Sequence, residues 1–271
     1  ALGFKFLSVA DQTYHWGLLD REVYLAVWIV CFTLLGFYLL GKLRFAHDSE
    51  VKTLSVTRLA LAIVDFTFVV YMIPGMWGAP LKALSGYLPP LHTQDFILGQ
   101  TSAAADAVTE SASAAPSVKY DDILMMPHGI AGYFEWNEAL AASRAAGKPL
   151  FIDVTGHGCV NCREMEQKVL SDARVQQLLR DDYIVVALYT DDKARAAEED
   201  WITTESGATL KEIGRINSYI VRTRFNVNAQ PTYIVADAEG VALLPPREYD
   251  LSVGGFITFL EEGVAAYRRT E

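Results

Sequence analysis

Cys159-Val160-Asn161-Cys162 constrains this chain more than any other four residues. The pair sits between a strand-like run, Pro149 to Thr155 (PLFIDVT), and a helix-like run, Arg163 to Leu170 (REMEQKVL). Two intervening residues make about one helical turn, so the second sulfur can reach the first and close a small disulfide ring. The first sulfur then lies at a helix N-terminus. Unpaired N–H groups and the positive end of the macrodipole favour a thiolate there. A buried strand is thus expected to hand the chain to a helix at this point. The chemistry implied is movement of electron pairs between thiols and disulfides.

The other possibilities for the pair are structural cysteines or half of a zinc site. Zinc asks for four ligands, and His157 would supply only a third. Three cysteines are too few for a disulfide framework, and Cys31 stands alone in an apolar stretch, where it reads as a small packing residue. No metal or nucleotide cofactor is expected beyond the redox-active Cys159–Cys162 disulfide itself. A net charge of −10 argues against nucleic acid as a partner.

Half of the 271 residues are hydrophobic, and the excess is concentrated toward the N-terminal end. Val23 to Leu40 is 18 residues without a charge, just long enough to cross a bilayer as a helix. Leu59 to Leu81 is a second such run, with Asp65 its only charge. Both are apolar on all faces, which distinguishes them from amphipathic helices of a soluble core. Trp16, Trp28, Tyr38, Tyr71 and Trp77 lie near the ends, as interface anchors do. Pro74-Gly75 should kink or end the second span. The loop between the spans carries Lys42, Arg44, Lys52 and Arg58, against Arg21 and Lys82 outside. That asymmetry puts the loop in the cytoplasm and everything after Leu81 across the membrane. The sequence opens at Ala1 inside what reads as the end of an apolar segment, and a longer or processed protein is expected.

Three regions follow: a membrane region over 1–98, with spans near 23–40 and 59–81; a flexible linker over 99–126, Ala/Ser-rich in its first part; and a globular domain over 127–271. Within the domain, helices are expected over 134–146, 160–179, 213–224 and 252–267. Strands are expected over 150–154, 183–189 and 232–236, with a hairpin returning over 241–244. The run Tyr183 to Tyr189 is continuously apolar, which predicts a central strand buried on both faces. Residues 193–212 read as a polar, irregular insertion. The fold class is α/β, a mixed central sheet flanked by helices and preceded by two transmembrane helices.

The domain resembles the thioredoxin fold. More closely, the chain resembles the C-terminal part of the DsbD-type thiol:disulfide interchange proteins. Phe151-Ile-Asp-Val-Thr-Gly-His-Gly-Cys-Val-Asn-Cys162 with Arg163-Glu-Met-Glu166 carries the resemblance, together with Gln230-Pro231-Thr232 and the membrane region upstream. Two departures stand out. Gly158 and His157 precede the first cysteine where most thioredoxins have Trp, and about 69 residues separate Cys162 from Pro231, longer than in a minimal thioredoxin. The resemblance implies a protein-disulfide reductase of the bacterial inner membrane, its domain in the periplasm. An upstream membrane electron-transfer domain would re-reduce it, and its clients would be periplasmic thiol/disulfide proteins, including those of cytochrome c biogenesis. A membrane-tethered oxidant or isomerase of the same fold, or a non-catalytic membrane adaptor, are the alternatives.

Cys159 is expected to attack and Cys162 to resolve. Asp153, six residues before Cys159, and Glu166, four after Cys162, are expected to raise the thiol pKa and to shuttle its proton. Helical spacing places Glu166 on the face of both sulfurs. As a bland alternative, Glu166 is a solvated helix charge. His157 either tunes Cys159 or is an exposed loop residue. Gly158, Val160, Asn161, Gln230 and Pro231 should frame the active-site loop and the substrate contact. The Gln230–Pro231 bond is expected to be cis, the alternative being an ordinary trans proline that starts a strand.

Overall fold

The computed structural model describes residues 2–48, 53–95 and 118–269. The chain divides into two compact units, Ala1–Ser8 with Gly17–Ala112, and Val9–Trp16 with Ser113–Glu271. The division departs from the expected 1–98 membrane region, because Val9–Trp16 clusters with the C-terminal unit. The first part of the proposed linker, 99–117, lies outside the described residues. Its second part, 118–126, is not a tether: Leu124 and Met126 are buried in the core of the second unit, with Val118, Tyr120 and Ile123 packed on it.

Helix α1 (Leu2–Tyr14) precedes α2 (Arg21–Leu39) and α3 (Val56–Met72). Tyr24, Leu25 and Trp28 of α2 pack with Val69 and Met72 of α3. Gly36 permits the close approach: a Cβ there would meet Phe66 at 2.6 Å and the Asp65 carboxylate at 2.8 Å. Arg58, in the first turn of α3, donates from Nε and Nη2 to the carbonyls of Leu39 and Tyr38 at the end of α2. Helix α3 stops at Met72, and Ile73–Trp77 continues as a 3₁₀ turn, where Pro74 has no N–H to give the α-ladder. Both segments are long and apolar enough to cross a membrane. Val30, Leu34, Ile63, Val64 and Val70 stay exposed, and so does Cys31. That apolar surface suits lipid better than water.

In the second unit, α4 (Trp136–Ala146) is capped by Glu135, whose carboxylate accepts from the Glu138 N–H at 2.7 Å. Gly147 ends it in the left-handed conformation. Strand β1 (Leu150–Thr155) follows and is buried throughout. The chain then passes through the cysteine loop into α5 (Val160–Met165), which continues as a π-helical turn over Glu166–Leu170. The single helix expected over 160–179 is therefore broken. Asp172 restarts it, its side chain capping the N–H groups of Arg174 and Val175 at the head of α6 (Ala173–Asp182).

Strand β2 (Ile184–Tyr189) pairs parallel to β1, from Leu150↔Ile184 to Thr155↔Tyr189. The insertion is ordered in part: β3 (Ile202–Thr203) and β4 (Thr209–Leu210) form a small antiparallel hairpin. Helix α7 (Ile213–Phe225), strand β5 (Thr232–Ala236) and helix α8 (Val253–Tyr267), capped by Ser252, complete the domain. The sheet order is β2-β1-β5, with β5 antiparallel to β1. Thus β1 is central, and β2 is not. Its apolar run is explained by cover: a bridge from Tyr133 to Val186 occupies its outer edge, and α4, α6 and α7 pack against it. The expected strand at 241–244 is reduced to an isolated bridge, Ala236↔Ala242, with a second, Tyr233↔Arg247, beyond it.

Gly214, in the first turn of α7, lies against the backbone after β2. A Cβ there would sit 2.6 Å from both N and O of Asp192 and 2.9 Å from Thr190 O. Backbone cannot swing aside as a side-chain tip can. Gly214→Ala should cost about 1–3 kcal/mol, as overpacking does. Gly254→Ala, with nothing within 4 Å of the new methyl, should cost nothing. Denaturant unfolding of both variants checks this, and equal midpoints would contradict the close packing.

Candidate thiol–disulfide site

Strand β1 delivers Thr155 and Gly156 to the loop, and Cys159 becomes the N-cap of α5. Its Sγ accepts from the Cys162 N–H at 3.1 Å, as the capping oxygen of a Ser or Asp would. The two sulfurs form a disulfide. Cys159 is 8% exposed and Cys162 2%, so the expected order of accessibility holds, with both deep in the surface. Val160 and Asn161 are exposed on the rim.

The Gln230–Pro231 bond is cis. Gln230 Oε1 accepts from Thr190 Oγ1 at 2.7 Å, tying the proline loop to the end of β2. A Cβ on Gly156 would lie 2.6 Å from that same Oε1 and 2.8 Å from Asp191 Oδ2. The crowding explains a glycine there. Asp191 holds the loop directly, accepting from the N–H groups of His157 and Gly158 at 2.9 Å each.

Asp153 and Glu166 are both buried, 5% and 6% exposed, so Glu166 is not a solvated helix charge. Glu166 pairs with Arg163 at 2.8 Å, three residues before it and equally buried. Arg163 also reaches Thr155 Oγ1 and the Gly156 carbonyl at 3.4 and 3.5 Å. Burial pushes the Asp153 carboxyl up to about 7; the Glu166 charge adds to the rise and Arg163 opposes it. Burial likewise raises Glu166 against the pull of Arg163. Burial works against the Arg163 cation, but Glu166, Tyr189 and Asp153 outweigh it. The π-turn begins at Glu166, and its carbonyl accepts from His128 Nε2 at 2.7 Å. Helical spacing alone does not anticipate that turn.

His157 is not an exposed loop residue. Its Nε2 lies 2.8 Å from Asp192 Oδ2, and its ring packs on Tyr189 with centroids 4.7 Å apart. His15 places its own Nε2 at 2.8 Å from the same oxygen. Burial alone would raise the Asp192 carboxyl; hydrogen bonds from His15, His157 and the Ala194 N–H carry it down to about 2. The hydrogen bond to Asp192 raises His15.

Sequence reading misses four of these residues. Arg163 had a usable signal, as the cation adjoining Cys162 at i,i+3 from Glu166. Asp191 and Asp192 follow directly on a parallel strand neighbouring β1, at the carboxyl edge where sites of open α/β sheets lie. His15 had none, since 142 residues separate it from His157.

Comparison with known proteins agrees with the topology. Residues 132–213 match the thioredoxin-like family. The domain is a thioredoxin-like fold with a mixed sheet flanked by helices. A thiol:disulfide interchange protein DsbD of Ralstonia nicotianae is 34% identical over 106 residues, 39% of this chain and 14% of the relative. The DsbD of Yersinia enterocolitica is 31% identical over 122 residues, 45% of this chain and 17% of the relative. This chain thus spans less than a fifth of the length of these curated relatives. Among solved structures, a DsbH oxidoreductase aligns with 18% identity and a TM-score of 0.39, covering 52% of this chain and 92% of that one.

The raised carboxyl of Asp153 has a consequence for stability. In the unfolded chain it ionises from its ordinary 3.8; in the fold it keeps its proton to about 7. Between those values the native state binds more protons, so this group's contribution to stability falls as pH rises. The interval corresponds to roughly 4 kcal/mol at full effect. Asp153→Asn should therefore be more stable than wild type at pH 8, with the gap closing below pH 4. Urea midpoints across that range measure it, and a pH-independent gap would contradict the assignment.

Proposed function

We propose that this chain is a membrane-anchored thiol:disulfide reductase that passes electron pairs from a membrane dithiol to disulfides of periplasmic proteins through Cys159 and Cys162. The observation that carries the reading is the capping geometry. Cys159 Sγ accepts the Cys162 N–H at a helix N-terminus, where a thiolate is favoured and a leaving sulfur is stabilised. The similarity of this part of the chain to thiol:disulfide interchange proteins supports the reaction class.

In the reduced domain, Cys159 thiolate attacks one sulfur of a client disulfide. A Cys159–client bond forms, the client S–S bond breaks, and the released client sulfur takes a proton. Cys162, deprotonated in turn, attacks Cys159 Sγ. The mixed disulfide breaks, the client leaves with both thiols, and the Cys159–Cys162 bond closes. Two electrons have moved to the client. Asp153, protonated at acidic pH and ionised above about 7, is the group suited to receive the proton of the buried Cys162. An upstream membrane dithiol, fed from the cytoplasm, restores the pair.

The two apolar helices and the basic loop between them support an inner-membrane anchor with the domain on the periplasmic side. Redox carriers, disulfide isomerases and cytochrome c maturation factors are the client classes this reading implies. The reductive direction requires a potential near that of thioredoxin, about −270 mV, whereas an oxidant would lie near about −120 mV.

Trapping tests the reaction. Cys162→Ser should accumulate a covalent, reductant-cleavable adduct through Cys159, identifiable by mass spectrometry, and Cys159→Ser should accumulate none. Adducts carried by Cys162 would reverse the roles of the sulfurs. A domain whose disulfide resists exchange would remove the proposal altogether.

A further inference from the structure

We infer that His15, His157 and Asp192 form a binding site for a divalent transition ion of the zinc class, separate from the cysteine pair. The three side chains come from three distant segments of the second unit: the end of Val9–Trp16, the loop before Cys159, and the exit of β2. They converge through ligand-type atoms. Nε2 of each histidine stands 2.8 Å from Asp192 Oδ2, and the three atoms lie within 4.8 Å of one another.

The surroundings are those of a built site. The Asp192 side chain is fully buried, and its other oxygen, Oδ1, accepts the Ala194 N–H at 2.7 Å, which aims Oδ2 at the imidazoles. Orientation of a ligand by a second hydrogen bond is the usual companion of a metal centre. His157 is fixed twice more, by its packing on Tyr189 and by its backbone N–H on Asp191. The side chain of His15 is 22% exposed and that of His157 10%, leaving a way in for the ion and for a solvent ligand. Two neutral imidazoles and one carboxylate give a borderline set with one negative charge, suited to zinc. Ligand atoms about 2.0–2.1 Å from a tetrahedral ion stand about 3.3 Å apart. Each imidazole nitrogen would withdraw from Oδ2 by about half an ångström to reach that spacing.

The ion would clamp His15 to the loop that carries Gly158 and Cys159. A Cβ on Gly158 would already meet Val9 at 3.2 Å, so segment 9–16 lies beside that loop. The thiols are not among the three ligands.

Zinc titration of the full chain in detergent tests this, with the Cys159–Cys162 disulfide intact and Cys31→Ser removing the free thiol. One Zn²⁺ should bind per chain. His15→Ala and His157→Ala should each weaken binding by about a hundredfold or more, at least the loss expected for disturbing a supporting residue. Glu22→Ala, in a separate carboxylate group with Asp20 and Asp95, should leave it unchanged. A readout without variants comes from diethyl pyrocarbonate: Zn²⁺ should protect His15 and His157 of the wild-type chain from modification, read by mass spectrometry. Binding that survives both histidine variants, or modification unaffected by Zn²⁺, would overturn the inference.

Discussion

A guanidinium sealed inside the domain sets the electrostatics beside the active site. Arg163 follows Cys162 directly and is 5% exposed, so its charge must be matched within the protein. Glu166 matches it at 2.8 Å. Asp153, on the central strand, is a second carboxylate for one cation, and it is the one burial lifts to about 7. With Asp153 protonated the cluster is neutral; with it ionised the cluster carries one uncompensated negative charge. The proton transfer proposed for Cys162 would use this group, whose affinity lies in the range near neutrality. The same arrangement costs stability above that range, as is common where a fold keeps a titratable group for chemistry.

Chain geometry around this cluster is correspondingly irregular. The Glu166 carbonyl accepts from His128, and a π-turn runs from Glu166 to Leu170. Such turns are frequent at functional sites. The segment ahead of α4 is thereby coupled to the helix below the disulfide. Tyr189 extends the coupling: its hydroxyl donates to the Met125 carbonyl at 2.9 Å, and its ring carries His157. Residues 118–130, which composition assigns to linker and domain edge, thus support the site from beneath.

Local signals were legible where local physics decides. The cysteine spacing, the strand before it, the cap at Ser252, the end of α3 at Pro74 and the Gln230-Pro231 loop each depend on a few neighbouring residues, and all stand where the sequence places them. Sheet order was not legible, because an apolar run reports burial and not the agent of burial. β2 is covered by helices and by the Tyr133 bridge, which reads in sequence as a central position. The linker reaches less far than composition indicates: Leu124 and Met126 belong to a short apolar run, Ile123 to Met126, whose packing partners in the core lie far along the chain. The surroundings of His157 were not legible because its partners, Tyr189 and Asp192, come from the end of β2 and the residues after it.

The unusual Gly156-His157-Gly158 approach to the first cysteine follows from Asp191. One carboxylate takes the N–H groups of both His157 and Gly158, which draws the backbone tightly against it. At Gly156 the same carboxylate and Gln230 leave no room for a Cβ; at Gly158, Val9 stands at 3.2 Å and Asp191 at 3.5 Å from where one would be. A bulky residue before Cys159 would have to displace one or the other. The loop is thus anchored through its backbone by an acid on β2's exit, not by a large side chain of its own. The His157 ring reaches Asp192. An aromatic residue at position 158 would compete with segment 9–16 for the surface beside the disulfide, so the glycine and the N-terminal segment belong to one design.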